Sequence, residues 1–303
     1  DTSVERTPRH AFRERRAYVV RLTVTNSNNE TSWTEQTIRV EPRPPAGTIG
    51  ISPSTGITTS TDVVFRFVQA PNSDPPDTYE WEFSDGRRFT GATVARRFDR
   101  GGRFDVTLRV RNSGNDPVTI TNSVTVAAVP AIRVEATDWL TGRPLRFEGT
   151  APGADSSYQW SWEFSDGTTS SAQNPNKTFT VTGTTARQFT ATLRVTAGGV
   201  TSAPVTQTVT IHPNPTADVT APTGRIIARE LSPQFGSTVT GGTATWSWRR
   251  GSATGTGENG RFEFPEPGTY DVILTVTNPG GGRAEDSVTV EVDPARPVAI
   301  IEA

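Results

Sequence analysis

The chain has 303 residues with 30 basic and 32 acidic side chains, a formal net charge of −2, so it lacks the basic excess that neutralising nucleic-acid phosphates requires. With no cysteine it has no disulfide framework, no thiolate metal site and no thiol nucleophile, and no apolar run approaches the ~18 residues of a membrane span. Gly 27 and Pro 23 punctuate Val/Thr-rich segments, which points to many short strands in two or three domains, and no stretch shows helical periodicity. Lys177 is the sole lysine, and no signal peptide precedes Asp1, which reads as the start of a mature chain or of an excerpt.

In chain order, the first predicted element is Tyr18-Val-Val-Arg-Leu-Thr-Val24, apolar at alternate positions as a half-buried strand must be, and Thr37-Ile-Arg-Val40 closes it. A proline-marked opening, Pro45-Ala-Gly-Thr-Ile49, leads through Tyr79-Glu-Trp-Glu-Phe-Ser-Asp-Gly86 and Phe104-Asp-Val-Thr-Leu-Arg-Val110 to Ser123-Val-Thr-Val126. The same order returns in Pro130-Ala-Ile-Arg-Val134, Trp160-Ser-Trp-Glu-Phe-Ser-Asp-Gly167, Phe189-Thr-Ala-Thr-Leu-Arg-Val195 and Thr208-Val-Thr-Ile211. It returns again in Pro215-Thr-Ala-Asp-Val219, Trp246-Ser-Trp-Arg-Arg-Gly251, Tyr270-Asp-Val-Ile-Leu-Thr-Val276 and Ser287-Val-Thr-Val290. The central leucines Leu22, Leu108, Leu193 and Leu274 are 86, 85 and 81 residues apart, so the chain is an internal repeat.

Three complete units are expected at 43–128, 129–212 and 213–293. Residues 1–42 hold only the later strands of a preceding unit, and 294–303, with Pro297-Val-Ala-Ile-Ile301, only the first strand of a following one. Half a sandwich cannot bury its inner face. The end fragments therefore imply a longer array, or, as the lesser alternative, strand donation between chains.

The Trp-acid-Phe-small-Asp-Gly motif, the Gly-x-Tyr/Phe strand with alternating Val and Leu and the Asn turn after it together resemble the polycystic kidney disease (PKD) domain. Trp81-Glu-Phe-Ser-Asp-Gly86 and Trp162-Glu-Phe-Ser-Asp-Gly167 carry the motif, and Pro8-Arg-His10-Ala-Phe12, Pro267-Gly-Thr-Tyr-Asp-Val272 and Thr277-Asn-Pro-Gly280 fit the same family. The third unit departs: Trp246-Ser-Trp248-Arg-Arg-Gly251 keeps two aromatic positions and loses the Asp. The resemblance implies tandem immunoglobulin-like β-sandwiches, all-β, in a linear array. On that fold Trp81, Trp162, Trp248, Phe83, Phe164, Leu22, Leu108, Leu193 and Leu274 are core residues, while Glu80 and Glu82 face water.

Chemistry has few candidates. A hydrolytic carboxylate pair among Glu82, Asp85 and Asp99 would need two acids facing one another across a substrate. Asp85-Gly86 reads instead as a strand-reversing turn. His10 stands where the other units have Arg96, Lys177 and Phe262, a variability no shared catalytic base would allow, and His212 lies at a joint before Pro213. No catalytic residue and no cofactor are expected. The one metal candidate is a Ca²⁺ site at Asp74 and Asp77 in Asn72-Ser-Asp-Pro-Pro-Asp77, weighed against a solvated turn. Candidate contact residues are Arg96, Arg97 and Arg100, with Trp33 and Trp139 outside the core motif, suited to a partner protein or a glycan, or else to a solvated face and a domain joint.

The joints Glu41–Pro45, Ala127–Pro130, His212–Pro215 and Asp293–Pro297 are short and proline-rich, hence semi-rigid, and three sandwiches in line would span roughly 110 Å. The expected role is a non-enzymatic structural or adhesive segment of an extracellular or cell-surface stalk, filament or surface layer. Its partners would be copies of itself, other surface proteins or glycans, without nucleic acid or membrane insertion. The alternatives are a glycan- or collagen-binding accessory array of a secreted hydrolase and a virion fibre or decoration protein.

Overall fold

The computed structural model describes residues 1–242 and 244–297, so the predicted opening strand Pro297–Ile301 lies, Pro297 apart, outside the described residues. Two compact units divide the chain, residues 1–129 with 197–200, and the remainder.

The first unit opens with a hairpin, β1 (Ala17–Thr25) and β2 (Thr31–Arg39), paired antiparallel with Leu22 opposite Thr34. A sandwich follows, built from β3 (Gly47–Ser52), β4 (Val63–Gln69), β5 (Thr78–Phe83), β6 (Arg88–Thr90), β7 (Thr93–Arg96), β8 (Gly102–Arg111) and β9 (Val118–Val126). One sheet has the order β3-β4-β7 and the other β6-β5-β8-β9. Phe104, Val106, Leu108 and Val110 alternate inward along β8, because successive side chains of a strand point to opposite faces. They meet Ile49, Phe65 and Val94 of the facing sheet around Trp81 and Phe83.

Residues 130–293 hold two more sandwiches, all in the second unit except residues 197–200. The first of them comprises β10 (Ala131–Val134), β11 (Asp138–Leu140), β12 (Pro144–Thr150), β13 (Gln159–Phe164), β14 (Thr169–Ser170), β15 (Asn176–Thr178), β16 (Arg187–Ala197), β17 (Val200–Thr201) and β18 (Val205–His212). Its sheets run β10-β12-β15 and β11-β18-β16-β13-β14. The last sandwich comprises β19 (Thr216–Thr220), β20 (Ile226–Ile227), β21 (Gln234–Thr240), β22 (Thr245–Arg250), β23 (Ala253–Thr256), β24 (Gly260–Arg261), β25 (Gly268–Thr277) and β26 (Arg283–Asp293), in sheets β19-β21-β24 and β20-β26-β25-β22-β23. Sequential antiparallel pairs within two facing sheets, with the apolar rows turned between them, define the immunoglobulin-like sandwich. The all-β tandem arrangement expected from the repeat is therefore the observed one.

Trp81, Trp162 and Trp248 are the anchors, each buried and each opposite the leucine of the repeat: Leu108, Leu193 and Leu274. This register corrects the reading of the third motif. Trp248 matches Trp81, as expected, but the motif keeps only one of its two aromatic positions, because Arg250 stands in the row of Phe83 and Phe164. Leu22 is corrected as well. It is 61% exposed, whereas Leu108, in the same sequence pattern, is 0% exposed. Alternation makes an apolar row, but burial needs a second sheet, and among the described residues the hairpin pairs only with itself.

Candidate functional site

The WEFSDG motif ends β5 in a reversal. Gly86 N–H donates to Phe83 O at 2.8 Å with φ +82°, a left-handed value that glycine adopts without Cβ strain. The turn delivers Asp85 to a cation that the sequence gives no reason to bury. Arg96 on β7 is 7% exposed and grips Asp85 through both ends of its guanidinium, Nη1 to Oδ1 at 3.1 Å and Nη2 to Oδ2 at 2.5 Å. Its Cζ lies 4.5 Å from the Phe83 ring and 4.2 Å from Phe98, the cation over two aromatic faces. The hydrogen bond from Arg96 holds the Asp85 carboxyl below the ordinary aspartate range, against the opposing effect of its partial burial.

The middle sandwich repeats the arrangement with its lysine. Lys177 Nζ lies 2.6 Å from Asp166 Oδ2 and 5.5 and 5.2 Å from the rings of Phe164 and Phe179. Burial pushes the Asp166 carboxyl up, but the hydrogen bonds from Lys177 and Thr168 outweigh it and the net direction is down. In the last sandwich the partners exchange places. Arg250 replaces the β5-row phenylalanine, and Phe262, 3% exposed, occupies the position of Arg96 and Lys177. The Arg250 Cζ lies 5.2 Å from Phe264 and 5.4 Å from Tyr270. The hairpin is one residue shorter: Trp81 faces Phe89 and Trp162 faces Ser170, eight on, while Trp248 faces Gly255, seven on. Gly251-Ser252 closes it and supplies no acid.

Arg96 is thus corrected from a contact residue to a buried one. Arg97 and Arg100 do remain on the surface, Arg97 on Asp62 at 2.6 and 2.7 Å and Arg100 over Phe104 at 5.8 Å. The three acids weighed as a hydrolytic pair are each taken by a different arginine: Glu82 by Arg88 at 2.7 Å, Asp85 by Arg96, and Asp99 by Arg87 at 3.3 Å. The two Ca²⁺ candidates are used by the chain itself. Asp74 accepts from Arg43 N–H at 2.6 Å and faces Arg15 at 3.2 Å, and Asp77 accepts from Ser113 N–H at 2.7 Å.

Trp33 projects from the hairpin, 60% exposed, with the Arg21 guanidinium 4.7 Å from its ring and Arg21 paired to Glu35 at 2.7 Å. Trp139 is half-buried at a joint inside the second unit, with its backbone carbonyl against Gly280, where an added Cβ would lie 2.6 Å from that oxygen. Asn278 ties the same joint: its amide donates to Pro213 O at 2.9 Å and Gly241 O at 3.1 Å. His212 Nε2 sits 2.9 Å from Asp138 Oδ1. The first unit has a counterpart in Asn112, whose amide donates to Arg43 O at 2.8 Å. The Asn after the long strand, legible only as a turn in the sequence, is a clamp on the incoming linker. In the middle sandwich Ala197 takes that place.

With these sandwiches and their aromatic-cation clusters in view, the class is immunoglobulin-like. The PKD domain profile matches residues 44–126 and 127–212, more than half of the sequence, and the chain belongs to the PKD domain family. No curated protein matches it. Among solved structures, a two-domain fibronectin type-III segment of chicken tenascin is 16% identical, covers 55% of this chain and 98% of its own, and has a TM-score of 0.37. A Ca²⁺-stabilised, ice-binding adhesin of an Antarctic bacterium is 16% identical over 92% of this chain and 82% of its own, with a TM-score of 0.27. Fibronectin(III)-like modules of Clostridium thermocellum CbhA are 12% identical over 57% of this chain and 100% of theirs, with a TM-score of 0.32. At such scores the fold assignment rests on the sheets and on the family match.

Proposed function

We propose that the chain is a non-enzymatic repeat segment of an extracellular, cell-surface stalk or filament, acting through contacts with copies of itself and with other surface proteins. The observation that carries this reading is the repeated linker clamp. Asn112 and Asn278 each bind a carbonyl of the incoming proline linker, a use of buried amides that fixes the linker to the sandwich that follows it. The proposed sandwich boundaries are 43–128, 129–212 and 213–293, with partial repeats at 1–42 and 294–303. Immunogold labelling of intact source cells tests it, with negative-stain imaging of the labelled material. Labelling along surface filaments is the expected result, and label absent from intact cells but present in permeabilised ones would overturn it.

A further inference from the structure

The last sandwich keeps the cation of the aromatic cluster and lacks its acid. In the other two, the cation is answered in cis: Arg96 by Asp85 through both Nη groups, Lys177 by Asp166. The Arg250 guanidinium forms no hydrogen bond and no ion pair with any described residue, and its Nε is sealed from solvent without a partner among them. It is half-buried, held over Phe264 and Tyr270 rather than free in water. Ser252, the same count after the tryptophan as Asp85 and Asp166, brings no charge to it.

A half-buried guanidinium held near two rings, with no Nη partner among the described residues, is a bidentate receptor for a carboxylate. The two sister sandwiches identify the missing group by chemistry. We propose that Arg250 is a recognition site for a carboxylate supplied in trans, an acidic side chain of a neighbouring polypeptide that occupies the place Asp85 and Asp166 fill in cis. In the assembly proposed above the supplier is a second copy of the chain, and that choice of source rests on the stalk reading. The carboxylate site itself does not.

The test uses the whole chain with its arginine Nε–H groups observed by NMR. The Arg250 signal is assigned by its loss in Arg250→Gln, which keeps a polar chain against the rings and removes the charge. Hexaglutamate peptide and sodium acetate are titrated against sodium chloride at equal ionic strength. The expected result is a saturable shift of the Arg250 signal with both carboxylates and not with chloride, and at least ~10-fold weaker hexaglutamate binding by Arg250→Gln, the loss expected of a central arginine anchor. No shift, a shift shared by chloride, or unchanged peptide binding in the variant overturns the site. A shift of the same signal with protein concentration alone identifies the second copy as source. A response to the peptide without that concentration dependence supports the site and counts against self-assembly.

Discussion

The first and last complete sandwiches solve one packing problem with exchanged residues. In the first, Phe83 lies on β5 and Arg96 on β7. In the last, the arginine, Arg250, is on the tryptophan strand and the phenylalanine, Phe262, has moved across. A core position is filled by volume and by a cation over rings, and it does not matter which strand supplies each. The acid is another matter. A three-residue reversal seats Asp85 on Arg96, whereas the two-residue loop of the last sandwich offers no such seat. The hairpin at the N-terminal end makes a second contrast, because its Leu22 repeats the pattern of Leu108 without its burial.

The largest way to break the comparison is at the anchors. Trp81→Ala should cost the first sandwich about 3–5 kcal/mol, as large-to-small core changes do, and also frees the Gly91 carbonyl that accepts the indole N–H at 2.8 Å. Hydrogen exchange of peptides from 44–126 reads this loss. Protection that stays at the wild-type level would disprove the anchor. Next comes Asp85→Ala, which leaves Arg96 buried without its acid and should cost on the order of 3 kcal/mol, while Ser252→Ala should change the last sandwich by under ~0.5 kcal/mol. Equal effects of the two substitutions would show that the difference between the sandwiches is only formal.

The ion pair also predicts a pH response. Asp85 has a depressed carboxyl in the folded state. Its contribution is therefore complete above the unfolded value of about 3.9 and is lost as pH falls through the lower folded value. Denaturant midpoints of the first sandwich should drop below pH ~4, and Asp85→Asn should flatten that part of the profile. An unaltered profile in the variant would assign the acid response to other groups. At the joint of the second unit, Gly280→Ala drives a Cβ to 2.6 Å from the Trp139 carbonyl and should destabilise it by about 1–3 kcal/mol, read as faster exchange at 278–282. The smallest effect is that of Leu22→Ala, under ~0.5 kcal/mol in this chain against about 2–5 kcal/mol for Leu108→Ala.

The sequence alone was enough for the repeat, the strand parity and the identity of the tryptophan anchors, because alternation with period two and a tryptophan motif recurring in register are local properties copied from unit to unit. It could not tell that Arg96 is buried, since a charged residue beside Arg97 and Arg100 reads as a solvated cluster until the turn carrying Asp85 is folded against it. Nor could it tell that the pair Phe83 and Arg96 reappears exchanged as Arg250 and Phe262, because residues on different strands meet only when the two sheets close on one another. Leu22 makes the same point in reverse. The pattern set which side of the strand is apolar, and only the presence or absence of a facing sheet decided whether that side left water.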